Sequence, residues 1–237
     1  MSDDNHEAPS QLIQLAGQAS LTVMGSATVS VRSNFALHHM YAAVKAARRA
    51  HEVEVANCGR AHGPWFDDML HVVPVAIIMG SAALEAQVNE AVQDILDGYQ
   101  AAQASNSQKV LLKELKDSTA SNTLDKCRNV ALLLGKIPDR GRREWEEASL
   151  LLTLRNRFIH FKPAWDHEEV HDSKWVRALK QRIPVYAPYA EAFQFPYGFI
   201  TYGAAKWAVT TALDFARHAA ALLGVLNRFE GQNYALP

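Results

Sequence analysis

The sequence predicts a mainly α-helical protein, and three observations carry that prediction. Apolar residues recur three and four positions apart through several stretches, the period of a helix face rather than of a strand. Gly, Pro and capping residues punctuate those stretches where helices should start and stop. No internal repeat or low-complexity block interrupts them, so the chain reads as one helical bundle with a less regular C-terminal part.

Residues 1–20 are expected to form a poorly ordered tail and residues 21–237 a single domain. Residues 21–32 alternate loosely (Leu21, Val23, Val29, Val31), a pattern that admits a short strand or hairpin. Asn34 is the expected cap of an Ala-rich helix running to about Asn57, with Lys45, Arg48, Arg49 and Glu52 on its wet side. Residues 59–68 read as a loop broken at Gly63-Pro64. Pro74 suits the first turn of a second helix, predicted to end near Asp97. Its apolar stripe is Ile77, Leu84, Val88, Val92 and Ile95, with Ser81 on the same face and Glu85, Asn89 and Glu90 beside or opposite it.

A polar linker over 100–108 precedes one or two helical turns at 109–116. Ser121 or Asn122 caps a helix to Leu134, ended by Gly135. After a turn at 136–141, a long helix runs from about Arg142 to His160 or Phe161 and stops before Pro163. One more helix is expected within 165–182, and a packed aromatic loop with a short strand over 183–200. The last helix spans about 202–229, with Ala205, Val209, Ala212, Ala216, Ala219, Leu223 and Leu226 on its inner side. Trp145, Trp165, Trp175 and Trp207 are expected to anchor the core or an interface.

Composition narrows the function classes. A chain of 237 residues, 49% apolar and 21% charged, can bury a core without staples and has ordinary globular balance. A formal net charge of -1 gives no global basic field, which counts against a sequence-independent nucleic-acid coat protein but leaves room for a local basic site. Cys58 and Cys127 are too few for a disulfide framework and are expected to be buried thiols in a reducing compartment. The acidic, polar start resembles neither a signal nor a transit peptide. The longest apolar run, 72–84, is too short to cross a bilayer, so a cytoplasmic protein without a membrane partner is expected.

Two short patterns could carry chemistry. His167-Glu168-Glu169-Val170-His171 matches the spacing in which two His one helical turn apart hold zinc while the Glu activates water. Its context argues otherwise. Glu169, Asp166 and Asp172 surround it with carboxylates at a helix start after Pro163, and no third ligand is identifiable. The expectation is therefore no metal and no cofactor, with a zinc hydrolase through His167 and His171 as a minor alternative. The second pattern is Arg155-Asn156-Arg157-Phe158-Ile159-His160. On a helical projection Leu151, Leu154, Phe158 and Phe161 form the core stripe, while Ser149, Thr153, Asn156 and His160 occupy the opposite face. Arg155 lies on the border, where its stem can pack while its head reaches round.

The stretch Leu154 to Pro163 resembles the signature of the HEPN superfamily, helical bundles that carry Arg, a polar residue and then His after four to six intervening positions. The helix around Ser81 to Glu90 is similar to the earlier helix of that superfamily, where a carboxylate and an Asn face the motif. The likeness covers about 74–163 and hardly touches the rest. It implies a metal-independent endoribonuclease of a defence or toxin-type system. His160 would act as general acid or base, since imidazole titrates near neutrality, and Arg155 would stabilise the phosphorane. Asn156 would orient His160 or the phosphate, Glu85 would pair with Arg155, and Asn89 would add a supporting contact. Arg157 and Lys162 would bind RNA. The resemblance also implies a homodimer with two motif helices at one cleft, and an antitoxin or regulatory partner. Many members of the superfamily are inactive helical modules, so a non-catalytic module that binds a nucleotide or a protein partner stands as the alternative.

Overall fold

A computed structural model describes residues 32–98, 104–118, 122–163, 165, 173–186 and 195–237. Among these, seven α-helices follow in order: α1 (Ala36–Ala56), α2 (Trp65–Asp97), α3 (Asn106–Asp117), α4 (Thr123–Leu133), α5 (Arg143–Ile159), α6 (Lys174–Lys180) and α7 (Tyr202–Leu223). A short 3-10 turn at Tyr197–Phe199 precedes α7, and no strand occurs among the described residues. The expected all-α class is what the structure has. The strand or hairpin at 21–31 and the zinc pattern at His167 and His171 lie outside the described residues.

Helix α2 is the axis of the fold, and α1, α7, α5, α3 and α4 all pack against it. The predicted stripe Ile77, Leu84, Val88, Val92 and Ile95 is fully buried, and Ser81 satisfies its hydroxyl within the helix by donating to the Ile77 carbonyl at 2.9 Å. Where α2 crosses α7, a Cβ at Gly80 would lie 3.4 Å from the Ala208 carbonyl oxygen, so a hydrogen at this position lets the two backbones approach. Helix α7 answers with the small and apolar face Ala205, Ala208, Val209, Ala212, Ala216 and Ala219.

The sequence expectation places the start of α2 nine residues too late, at Pro74 rather than Trp65. Proline removes one helical hydrogen bond and costs roughly 3 kcal/mol inside a helix. The turns before it bury Phe66, Met69 and Val73, each worth about 2 kcal/mol, which outweighs that cost. Asp67 and Asp68 in the first turn also suit the positive end of the helix dipole. The resulting helix extends well beyond the apolar run at 72–84. By length and composition it is a helix that could cross a membrane, and in this structure 44% of its apolar window is buried within the fold.

Other corrections concern caps and ends. Asn34 does not cap α1; the Glu90 carboxylate of α2 does, accepting from the backbone N–H groups of Phe35 at 2.8 Å and Ala36 at 3.0 Å. Glu54 of α1 likewise accepts from Tyr202 N at 2.7 Å at the start of α7, where the Thr201 hydroxyl accepts from Ala204 N. Helix α3 is three turns, not one or two, because Ser105 and Gln108 form a reciprocal capping box three residues before the expected start. Asn122 caps α4 as expected, accepting from Asp125 N at 2.9 Å. Helix α7 ends at Leu223 because Gly224 adopts φ +73°, which leaves Leu226 exposed beyond it. Trp165 is 72% exposed rather than buried in the core, and Cys58 is exposed while Cys127 is buried.

The C-terminal tail turns back along α1. Tyr234 packs on Tyr41, and the Arg48 guanidinium donates to the Ala235 carbonyl at 2.9 Å. Arg228, only 8% exposed, pairs with Glu90 at 2.9 Å and with Asp94 at 2.7 Å. Arg32, ahead of α1, reaches Asp94 at 2.7 Å and donates to the Glu90 carbonyl at 2.9 Å. One charge cluster, buried at Arg228 and Glu90, thus ties both ends of the described chain to the last turns of α2. Removing a single partner from such a cluster strands the remaining charges. Arg228→Ala is expected to cost about 3 kcal/mol in urea-induced unfolding. A loss below about 0.5 kcal/mol would mean that the cluster does not hold the tail.

Candidate functional site

Helix α5 presents the Arg155–His160 motif at its C-terminal end. Leu151 and Leu154 are buried against the bundle and Phe158 is half-buried, as the projection requires, whereas Phe161 lies past the helix end and is exposed. The opposite face carries exposed Ser149, Asn156 and His160. Arg155 is on the border, and its stem is half-buried.

The guanidinium of Arg155 is oriented by two contacts. Nη2 donates to Glu85 Oε2 of α2 at 2.9 Å, and Nη1 donates to Asn156 Oδ1 at 3.0 Å. Two of its five N–H groups are used in this way, and three are left for other acceptors. His160 is the C-cap of α5. Its backbone N–H donates to the Asn156 carbonyl at 2.9 Å, and its ring is exposed and makes no hydrogen bond among the described residues. The structure therefore brings Glu85, Arg155 and Asn156 together and places His160 at the C-terminus of the same helix.

Asn89 departs from the expected arrangement. It does not reach Arg155; its Oδ1 accepts from the Lys126 ammonium of α4 at 2.9 Å. Lys126 is 6% exposed and also donates to the Ser118 carbonyl at 3.1 Å, so it closes the end of α3 against α2. Burial pulls its ammonium below the ordinary lysine value, and the carboxylates of Glu85 and Asp117 push it back up. Glu85 thus stands between two cations, Arg155 and Lys126. The sequence carried a signal for this lysine: Thr123, Lys126, Cys127, Val130 and Ala131 form one buried stripe of α4, and a lysine in a core stripe needs acceptors.

Arg157 and Lys162 flank the motif differently. Arg157 lies over the Trp175 ring of α6, 5.3 Å from its centre, so the cation that α5 adds here is stacked as well as exposed. Lys162 is exposed just beyond the helix. Ile159, Phe161 and Trp165 add exposed apolar surface around His160. Among the described residues, no group of three or more His, Cys, Asp and Glu side chains is placed to hold a metal ion.

The other end of α5 holds a second polar cluster that sequence reasoning missed. Trp145 Nε1 donates to His218 Nε2 at 3.1 Å, and the buried Glu147 accepts from Trp207 Nε1 at 2.6 Å and from Arg182 Nε at 2.7 Å. Of these, Glu147, Trp207 and His218 line a cleft of about 530 Å3 with Arg142, Arg143 and Arg217. Arg142 and Arg217 are paired with Glu144 and Asp214, so the cleft is internally neutralised. Burial lowers the His218 pKa from its ordinary value; Glu144 and Asp139 oppose that shift and Arg142 adds to it.

A histidine held neutral by burial has a pH signature. The unfolded chain takes up the proton first, so the stabilising effect is complete above the unfolded value, about 6.5, and is lost as pH falls through the folded one. The melting temperature of the native chain is expected to drop more between about pH 7.5 and about pH 5 than that of His218→Gln, whose amide can still accept from Trp145. Equal drops would contradict this assignment.

Compared with models of known protein families, with curated proteins and with solved structures, the chain matches none.

Proposed function

We propose that this chain is a metal-independent endoribonuclease of the HEPN type, acting in the cytoplasm as a homodimer in a defence or toxin-type system. One observation carries the reading: a guanidinium oriented by Glu85 and Asn156 stands about one and a half turns before an exposed imidazole at the end of the same helix.

Cleaving RNA without a metal needs a base for the 2′-hydroxyl proton, a cation on the phosphorane and an acid for the departing oxygen. In this reading a neutral His160 takes the 2′-hydroxyl proton as the 2′ oxygen attacks the adjacent phosphorus. The bond from phosphorus to the 5′ oxygen breaks, and that oxygen leaves with a proton from a protonated imidazole. The products are a 2′,3′-cyclic phosphate and a 5′-hydroxyl. Two protomers supply two His160 rings and two Arg155 groups, one for each role. Arg155 binds non-bridging oxygens with the N–H groups that Glu85 and Asn156 leave over. Arg157 and Lys162 supply local positive charge that the near-neutral whole conceals. An antitoxin or regulatory partner would cover the apolar surface formed by Ile159, Phe161 and Trp165.

A second reading has one observation in its favour, namely that Glu85 already neutralises Arg155 within the chain. On that reading the chain is a non-catalytic module that binds a nucleotide or a protein, and His160 is dispensable. Incubation of a mixed RNA pool with EDTA separates the two. The native chain is expected to cleave, and His160→Ala to be slowed by about 10²–10⁴-fold with its fold intact. Cleavage by the variant at the native rate, or none by either protein, would move the assignment to the binding module.

A further inference from the structure

Helix α3 carries Lys109, Lys113 and Lys116, and their spacing of four and then three residues places all three on one side of the helix. They line a cleft of about 540 Å3 against Gln93, Asp97 and the end of α2. None of the three ammonium groups makes a hydrogen bond or ion pair among the described residues. The acids near at hand are occupied or turned elsewhere. Asp97 is engaged by Gln93 at 2.7 Å and faces Arg32 at 3.5 Å. Glu114 lines a different groove with Leu111 and Leu132, while Asp117 lines this cleft beside Asp97 and also acts on Lys126. Three lysines against Asp97 and Asp117 leave the cleft with a net positive charge that an external anion would relieve.

A row of polar residues along α2 leads from the Arg155 contact to the cleft. Glu85, Asn89, Gln93 and Asp97 stand four residues apart along α2, a polar row of roughly 18 Å at 1.5 Å per residue. Glu85 holds Arg155 at one end of the row. Asn89 holds Lys126, whose ammonium also meets the Ser118 carbonyl two residues after Lys116. Gln93 and Asp97 form the floor beneath the lysines. Successive lysines are separated along α3 by about one helical turn, roughly 5–6 Å, a spacing comparable to that of neighbouring phosphates on an extended strand. An isolated anion would need one of these cations; a row of three matches a polyanion.

We infer that the α3 lysines form a phosphate track that seats a single RNA strand several nucleotides from the bond held at Arg155. The inference rests on the ribonuclease reading for the identity of the polyanion, and it assigns RNA recognition to a helix separate from the motif. The track reads backbone charge and not sequence, so its hallmark is salt dependence.

Binding of a fully 2′-O-methylated RNA, which cannot be cleaved, is measured by fluorescence anisotropy over a range of salt. The native chain is compared with the Lys109→Gln, Lys113→Gln, Lys116→Gln triple variant. A second triple variant, Lys45→Gln, Lys174→Gln, Lys180→Gln, removes the same net charge from exposed sites elsewhere. Each single-strand phosphate contact contributes about 0.7 to the slope of log affinity against log salt, so the α3 variant is expected to lose about 2 from that slope and the other variant almost nothing. Equal slopes for the native chain and the α3 variant would overturn the track. So would loss of poly-glutamate binding by that variant with RNA binding unchanged, which would assign the lysines to an acidic protein. Because the probe cannot be cleaved, an inactive enzyme leaves this measurement intact, and failure of the ribonuclease reading shows only in the cleavage assay.

Discussion

The C-terminal half of α2 carries its acids where a helix least tolerates them. Asp94 and Asp97 lie in the last turn, with no basic residue of the helix beside them, so they face the negative end of the dipole. The chain resolves the conflict by bringing a cation from a different element to almost every polar position along this half. Arg155 of α5 comes to Glu85, Lys126 of α4 to Asn89, Arg228 of the tail to Glu90 and Asp94, and Arg32 to Asp94 and Asp97. The apolar stripe of α2 makes the helices gather round it; these pairings settle which element lies where. Hydrophobic burial is non-directional, so a fold of seven helices among the described residues needs such directional contacts to choose one packing.

What the sequence revealed and what it concealed follow from that division. Stripes at helical spacing are local, and the buried faces of α2, α5 and α7 follow those the periodicity marks, apart from Phe161 and Leu226 beyond the helix ends. Contacts that join distant residues leave no local trace. Asn34 has the chemistry of an N-cap, yet the cap of α1 comes from Glu90, more than fifty residues away. Pro74 is a sound local argument for a helix start, and it fails because the turns before it have Phe66, Met69 and Val73 to bury. The Arg155–Asn156–His160 grouping was legible because it lies within two turns of one helix. The partnership of Arg155 with Glu85 was legible only through the family likeness, and Lys126 only as a misplaced charge in a core stripe.

Energetics separate the two charge groupings of α2. In the Arg228–Glu90–Asp94 cluster the Arg228–Glu90 pair is buried, at 8% and 11% exposure, so these two exchange little with water and depend on each other. The Arg155–Glu85 pair is different, since its side chains are 27% and 46% exposed. A pair in that setting contributes between zero and about 1 kcal/mol to stability. Stability is therefore a poor explanation for its presence. Orientation is a better one: a partly solvated guanidinium held on one edge keeps the other edge available and costs little to redirect toward a stronger anion such as a phosphate.

The same comparison bears on why the lysines of α3 stay unpaired while nearly every cation around α2 has a partner. An exposed lysine repelled by two like neighbours loses stability that a single acidic substitution nearby would recover, and the chain has Glu114 on the same helix without using it so. Arg155 and the lysine row therefore differ in kind. The first is a cation fixed in direction by a carboxylate, suited to meeting one phosphate in one geometry. The second is a set of compact, mobile, unneutralised charges, suited to following a flexible polyanion without specifying its path. On the proposed reading, a site that grips one phosphate and tracks its neighbours needs both kinds, and the polar row of α2 meets Arg155 through Glu85 and the lysines through Gln93 and Asp97.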